Sequence, residues 1–298
     1  MKITLMYNPQ AGGKALPVED LVSALVKRGA KVITQCTKDD DYAEALEKVC
    51  DFILIAGGDG TIEKVAKLIV HKPVPIAILP FGNANNIATS LNVETALDGI
   101  INNWKNRNFS KFSVGSILIN REKEYFLESV GWGLFSEVLS KNKARKKKKK
   151  ASAKTKDKVE SGLNMLNESI KELRPSYYGI LLDGKDYSGN YLWVEIMNTQ
   201  SMGPQLNMAP DARHGDEFLD VVLVKEEDRE NLELFLNIQN SQEVTNGFKI
   251  YKAKKIKVRS LESIHIDDEI YKPKSSDPSS QEWMEISLIP QFFWVINA

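Results

Sequence analysis

Three times in its first hundred residues the chain runs an apolar, β-rich stretch into a turn rich in glycine or asparagine, and then into a helical pattern. Residues 2–7 lead into Asn8-Pro9-Gln10-Ala11-Gly12-Gly13, and residues 52–56 lead into Gly57-Gly58-Asp59-Gly60-Thr61. Residues 75–79 lead into Pro80-Phe81-Gly82-Asn83-Ala84-Asn85-Asn86. Strands that alternate with helices pack as a parallel sheet with right-handed crossovers. In such sheets a ligand sits outside the carboxyl ends of the strands, where all three turns fall. Glycine permits positive φ and close backbone approach, while free N–H groups and the helix dipole favour an anion. The pattern therefore points to phosphate, and two such turns on one sheet point to a nucleotide.

The alternation continues between the turns. Val18, Leu21, Val22, Leu25 and Val26 form a helix stripe closed by Gly29; residues 31–35 read as a strand, 42–49 as a helix and 62–70 as a helix. After Trp104 the texture changes. Residues 112–120, 125–130, 177–182, 191–197, 219–224, 256–258, 263–266 and 283–288 read as strands with turn signals between them, which predicts an antiparallel, sandwich-like second domain. Within it Val159, Leu163, Leu166, Ile170 and Leu173 mark an amphipathic helix that ends before Pro175. The expected domains are 1–120, α/β and nucleotide-binding, and 121–298, β-rich, with room for the last residues to pack back on the first.

Composition narrows the setting. Cys36 and Cys50 are the only cysteines and have no metal-type spacing, which fits a reducing compartment. The first residues do not read as a signal peptide, and no apolar run has the length of a membrane span. The expected location is the cytoplasm, with peripheral attachment to the inner face of a membrane. A formal net charge of zero hides an asymmetry, because residues 141–158 hold eleven lysines and arginines against one acid, Asp157. That run reads either as a solvated loop or as an attachment to anionic lipid, worth about 1 kcal/mol per basic residue near the surface. Aromatic residues do not interleave with it, so nucleic acid is not the expected partner. His71, His214 and His265 form no metal pattern, and no Ser/His/Asp arrangement is visible in the sequence.

Asp59 is the most informative single residue. A carboxylate between two glycines at a strand end can hold Mg²⁺ beside phosphates cradled by the turn. The plain alternative is a cap for the helix beginning at Thr61.

Together these motifs resemble the diacylglycerol kinase catalytic-domain superfamily, which includes bacterial lipid kinases, sphingosine kinases and ceramide kinases. The ordered matches are Asn8-Pro9 through Gly12, the Gly57 to Thr61 run, Gly82 to Asn86, Gly131-Trp132-Gly133, Pro210-Asp211-Ala212, Asp216 to Asp220, and His265-Ile266-Asp267-Asp268-Glu269. The resemblance implies an ATP- and Mg²⁺-dependent kinase acting on a hydroxyl of a diacylglycerol-like or sphingoid membrane lipid. It implies ATP contacts from Asn8, Pro9, Gly12, Thr37, Gly57, Gly58, Asp59, Gly60, Thr61, Glu63, Gly82, Asn83 and Asn85, with Asp59 organising the nucleotide's Mg²⁺. Asp267 or Glu269 would be the general base, and their i, i+2 spacing on a strand would put both on one face. A structural Mg²⁺ is implied at Asp216 with the carbonyls of Arg213 and Phe218.

Several positions depart from the family pattern. Asn83 stands for the usual Thr, Asn86 for Asp, Thr89 for a common Arg, Asp268 for Gly and His265 for Gln. Two other readings share these motifs: an NAD kinase-like enzyme, whose Asn-Glu-Asp stretch is absent here, and a non-catalytic nucleotide- or lipid-binding protein. The particular lipid and the oligomeric state are not legible.

Overall fold

Each apolar stretch ahead of a turn forms a strand in the computed structural model, which describes residues 1–13, 15–70, 72–119, 121–148, 158–238, 247–272 and 282–296. The chain divides into two units, Met1–Val114 with Pro290–Ala298, and Gly115–Ile289. His71 and residues 149–157 of the basic run lie outside the described residues.

In the first unit β1 (Lys2–Tyr7), β2 (Lys31–Cys36), β3 (Phe52–Gly57) and β4 (Ile76–Pro80) pair in parallel in the order β4-β3-β1-β2. Every residue of β3 is buried, as a strand covered on both faces requires. The helices are α1 (Val18–Lys27), α2 (Asp59–Ile69), α3 (Asn86–Leu91) and α4 (Leu97–Lys105). Gly29 closes α1 at φ +81°, and the amides of Gly29 and Ala30 donate to the carbonyls of Val26 and Leu25. Residues Tyr42–Glu47 form a 3₁₀ turn instead of the expected helix, because only Ala45 and Leu46 turn inward and one tight turn buries both. Near the chain's end Val295 pairs in parallel with Ile76 of β4. One face of the sheet builds a core from Ile3, Leu5, Phe52, Leu54 and Ala77 against Leu25, Ile100 and Ile296.

The second unit is two antiparallel sheets and a helical layer. Its strands are β5 (Phe109–Ile119, from Gly115 onward), β6 (Glu122–Phe126), β7 (Ser129–Gly133), β8 (Ser176–Leu182), β9 (Lys185–Asp186) and β10 (Gly189–Tyr191). They continue with β11 (Trp193–Met197), β12 (Leu219–Val224), β13 (Lys249–Ala253), β14 (Lys255–Arg259), β15 (Ile264–Ile266), β16 (Glu269–Tyr271) and β17 (Met284–Ile296, to Ile289). One sheet has the order β13-β12-β11-β7-β15-β16, and the other contains β10-β8-β14-β17 with β9 on β8 and β6 on β5. Alternation along the strands sorts their faces. Val194, Ile196, Val221 and Leu223 point to a core shared with Tyr178, Ile180, Ile256 and Ile286 of the other sheet. Trp193, Met197, Val222 and Val224 pack on the opposite side. There they meet α5 (Leu134–Lys148), α6 (Lys158–Ile170) and α7 (Arg229–Ile238). The α/β first unit and the sandwich-like second unit are the fold class the sequence predicts.

Two expectations change here. Residues 125–130 are not one strand: they split between β6 and β7 at Leu127 and Glu128. The basic run does not begin as a loop, since α5 carries its backbone helically to Lys148. Among the described residues no helix is long and apolar enough to cross a membrane.

Candidate functional site

In the first unit the candidate residues gather at one edge of the sheet. β1 ends at Tyr7 before Asn8 and Pro9, β2 at Cys36 before Thr37, β3 at Gly57 before Gly58 and Asp59, and β4 at Pro80 before Gly82, Asn83 and Asn85. Parallel strands with matched registers place these turns side by side.

The turns pack directly on one another. A Cβ on Gly58 would fall 2.8 Å from Gly82 Cα, and one on Gly82 would fall 2.5 Å from Gly58 Cα. Gly12, at φ +64°, backs onto the Phe81 carbonyl so closely that no side chain fits. Asn85 takes a left-handed conformation, φ 54°, and closes the third turn: its Oδ1 accepts the Gly82 N–H at 2.8 Å and its Nδ2 donates to the Gly82 carbonyl at 3.0 Å. Asn8 Oδ1 accepts the Gln10 N–H at 3.1 Å and shapes the first turn.

Asp59 is bonded where neither reading of the sequence put it. Its Oδ1 accepts the N–H of Ile87 at 3.0 Å, so it serves as N-terminal cap for α3, whose own leading residue Asn85 caps nothing. The start of α2 at Gly58 has no side-chain cap, and Gly60 there has open space around its Cα. Asn83 is exposed beside it, whereas Thr61 and Glu63 are buried along α2. Thr37 also turns inward, its Oγ1 donating to the Tyr7 carbonyl at 3.2 Å. Lys64, which the motif did not single out, donates to the Thr37 carbonyl and lies 3.8 Å from the Tyr42 ring centroid. Backbone amides at a helix start and an exposed amide side chain suit phosphate, and a carboxylate at the same helix start suits a hard cation.

In the second unit Asp267 and Glu269 do not share a strand face. β15 and β16 form a hairpin in which Ile266 faces Glu269, and Asp267 and Asp268 are its two turn residues. Asp267 takes the positive φ, 49°, so the position at 268 where the family has glycine makes no such demand here. Asp267 is 3 % exposed. Its carboxylate accepts the amides of Leu127 at 3.1 Å, Glu128 at 2.9 Å and Ser129 at 3.4 Å, while its own N–H donates to the Ser129 carbonyl at 2.9 Å. That grip is what breaks residues 125–130 into two strands. Asn198 holds the same break from the other side, donating to the Leu127 carbonyl at 2.8 Å. Glu269 is exposed and accepts the Tyr271 hydroxyl at 3.2 Å.

His265 anchors this hairpin from inside. Its Nε2 meets Glu195 Oε1 at 3.0 Å and its Nδ1 meets Ser136 Oγ at 2.9 Å, with both His265 and Glu195 wholly buried. Ser136 spends its hydroxyl proton on the Gly131 carbonyl at 2.9 Å, so Nδ1 carries the hydrogen that Ser136 accepts. Glu195 Oε2 accepts the Trp193 indole N–H at 2.7 Å. A Ser/His/Glu constellation thus exists that spacing did not reveal, because β7–β15 and β7–β11 pairing assembles it from distant segments. Its burial makes it structural.

The turn implied for a structural Mg²⁺ does not fit one. Asp216 Oδ1 accepts the Phe218 N–H at 3.2 Å, and its amide lies 3.4 Å from the Arg213 carbonyl it donates to. Its Oδ2 accepts from Lys252 Nζ at 3.1 Å, and that ammonium also reaches Asp220 at 3.3 Å. Among the described residues no group of three or more His, Cys, Asp and Glu is placed to hold a metal.

Comparison with known proteins agrees with the architecture. Residues 2–117 match the diacylglycerol kinase catalytic domain, and residues 143–276 match the YegS C-terminal NAD kinase beta sandwich-like domain. The chain is similar to a diacylglycerol kinase of Mycobacterium tuberculosis, 24% identical over 244 residues that cover 78% of this chain and 75% of the relative. It is also similar to a diacylglycerol kinase of Bacillus subtilis, 24% identical over 289 residues covering 88% and 87%. A solved structure of a diacylglycerol kinase from Bacillus anthracis shares the fold, with a TM-score of 0.69 at 20% identity over 100% of this chain and 97% of that one.

Proposed function

We propose, from the matches of residues 2–117 to the diacylglycerol kinase catalytic domain and of 143–276 to the YegS C-terminal domain, that this chain is an ATP- and Mg²⁺-dependent kinase for a hydroxyl of a diacylglycerol-like or sphingoid lipid. The observation that carries the reading is the convergence of three tightly packed glycine turns beside Asp59 at the carboxyl edge of a parallel sheet.

In this reading the first unit binds the phosphoryl donor. Amides at the start of α2 and the Asn83 side chain hold phosphate oxygens, while the backbones of Gly12, Gly58 and Gly82 keep the turns close. Asp59 places a negative charge at the same helix start and would hold the magnesium that accompanies the phosphates. Magnesium bound there supplies neutralisation of the phosphate charge. The Ile87 N–H that Asp59 accepts fixes the carboxylate in place. The second unit supplies the proton acceptor. Asp267 has its oxygens committed to three amides, so the base is Glu269, oriented by the Tyr271 hydroxyl. As the acceptor oxygen bonds to the γ-phosphorus and the bond to ADP breaks, Glu269 takes the hydroxyl proton. Residues 141–158 draw the enzyme to an anionic membrane surface on its cytoplasmic side, where the acceptor lipid resides.

The test is phosphate transfer from labelled ATP to a broad lipid panel in mixed micelles. Transfer to at least one lipid is expected. Asp59→Asn should abolish turnover with an unchanged melting temperature, because an amide oxygen can still accept from Ile87. No transfer to any lipid, or NADP⁺ formation instead, sinks the reading.

A further inference from the structure

The acidic turn ahead of β12 carries its own cation. Lys252 and Asp220 are directly opposite each other in the β12–β13 ladder, so sheet register brings the ammonium to that carboxylate. The same Nζ bonds Asp216 at 3.1 Å, four residues earlier in the chain. Asp211 contributes a third negative charge felt at Asp220. Asp220 is almost wholly buried, which leaves its charge poorly served by water, while Asp216 is half-buried.

We propose that Lys252 is the resident cation of this turn, standing where the family resemblance implies a divalent metal, so that the second unit holds its Asp216–Asp220 corner without Mg²⁺. Magnesium requires oxygen ligands at about 2.0–2.1 Å in near-octahedral array. Here an ammonium spans both carboxylates, and a dication between them would stand against it. The Arg213 carbonyl is also turned to the Asp216 amide. A salt bridge formed across paired strands does the ordering that a metal would do for a turn whose carboxylates otherwise repel. This inference is independent of the lipid kinase reading.

Thermal unfolding of the purified full chain with EDTA or with millimolar MgCl₂, in the absence of nucleotide, tests it. The wild-type melting temperature should show no magnesium response that Asp216→Asn removes. Lys252→Met should lower it by about 2–4 °C in EDTA. Magnesium should restore at least half of that loss, because the freed Asp216 and Asp220 carboxylates then offer it hard oxygen ligands. Lys252→Arg should keep both the stability and the indifference to magnesium. Three results overturn the proposal: a wild-type protein stabilised by magnesium through Asp216, a Lys252→Met protein as stable as wild type, or a loss that magnesium leaves untouched.

Discussion

The glycine turns of the first unit and the acidic hairpin of the second are both motif-bearing segments, yet they assemble differently. In the first unit each turn directly follows its own strand, and parallel pairing of β1, β3 and β4 sets the turns side by side. In the second unit the hairpin that carries His265, Asp267 and Glu269 takes its meaning from partners 70 to 140 residues away. Ser129 and Leu127 draw Asp267 inward, and Glu195 and Ser136 hold His265. A motif built on strand–turn–helix continuity can be read residue by residue. A motif whose residues are divided by long-range pairing between a structural and an exposed role cannot.

The largest expected effect separates those roles. Glu269→Gln should lower kcat by about 10²–10⁴-fold while leaving the melting temperature in place. Asp267→Asn should instead lower stability, by about 1–3 kcal/mol, as buried amides lose a charged acceptor. Equal activity losses with no change in stability for both would erase the distinction. Steady-state kinetics and denaturant unfolding on the same preparations make the comparison.

A second pair of measurements probes the hairpin's inner anchor. His265→Ala leaves Glu195 buried beside Trp193 with its imidazole partner gone, and should cost about 3–5 kcal/mol in urea unfolding. The effect belongs to the second unit, so ATP binding by the first should persist. Gly82→Ala is the reciprocal experiment in the first unit. Its Cβ meets the Gly58 backbone and Asn85 Oδ1, so both turns must shift, and a loss of about 1–3 kcal/mol with weakened ATP binding is expected by calorimetry.

The smallest effect is a surface one. Arg28 hydrogen-bonds Asp98 at 2.6 Å and holds that carboxylate below its ordinary value. Because the folded value is depressed, the contribution is present above the unfolded carboxylate pKa of about 3.9 and fades as pH falls through the folded one. Arg28→Ala should return Asp98 to ordinary titration by NMR with no measurable change in the unfolding midpoint near neutral pH.

What was legible follows the same division. The strand endings at Tyr7, Gly57 and Pro80 and the α1 stop at Gly29 follow from local patterning, and the structure places each within a residue of that pattern. The inward turn of Thr37 and the bond from Asp59 to Ile87 were not legible, because both depend on which neighbouring turn lies within reach. The break at Leu127 and Glu128 was hidden because Phe126 to Val130 is apolar enough to read as one strand, and Asp267 interrupts it from elsewhere in the chain. Lys252 was equally hidden. It is one lysine among many until the β12–β13 register sets it opposite Asp220.

Mass spectrometry of a lipid extract incubated with the protein, Mg²⁺ and ATP bearing heavy oxygen in its γ-phosphate tests the central claim most directly. Wild-type protein should yield a lipid carrying the heavy phosphate, reduced by at least about a hundredfold with Glu269→Gln. An extract in which no lipid acquires the label, from protein that still binds ATP, would contradict it.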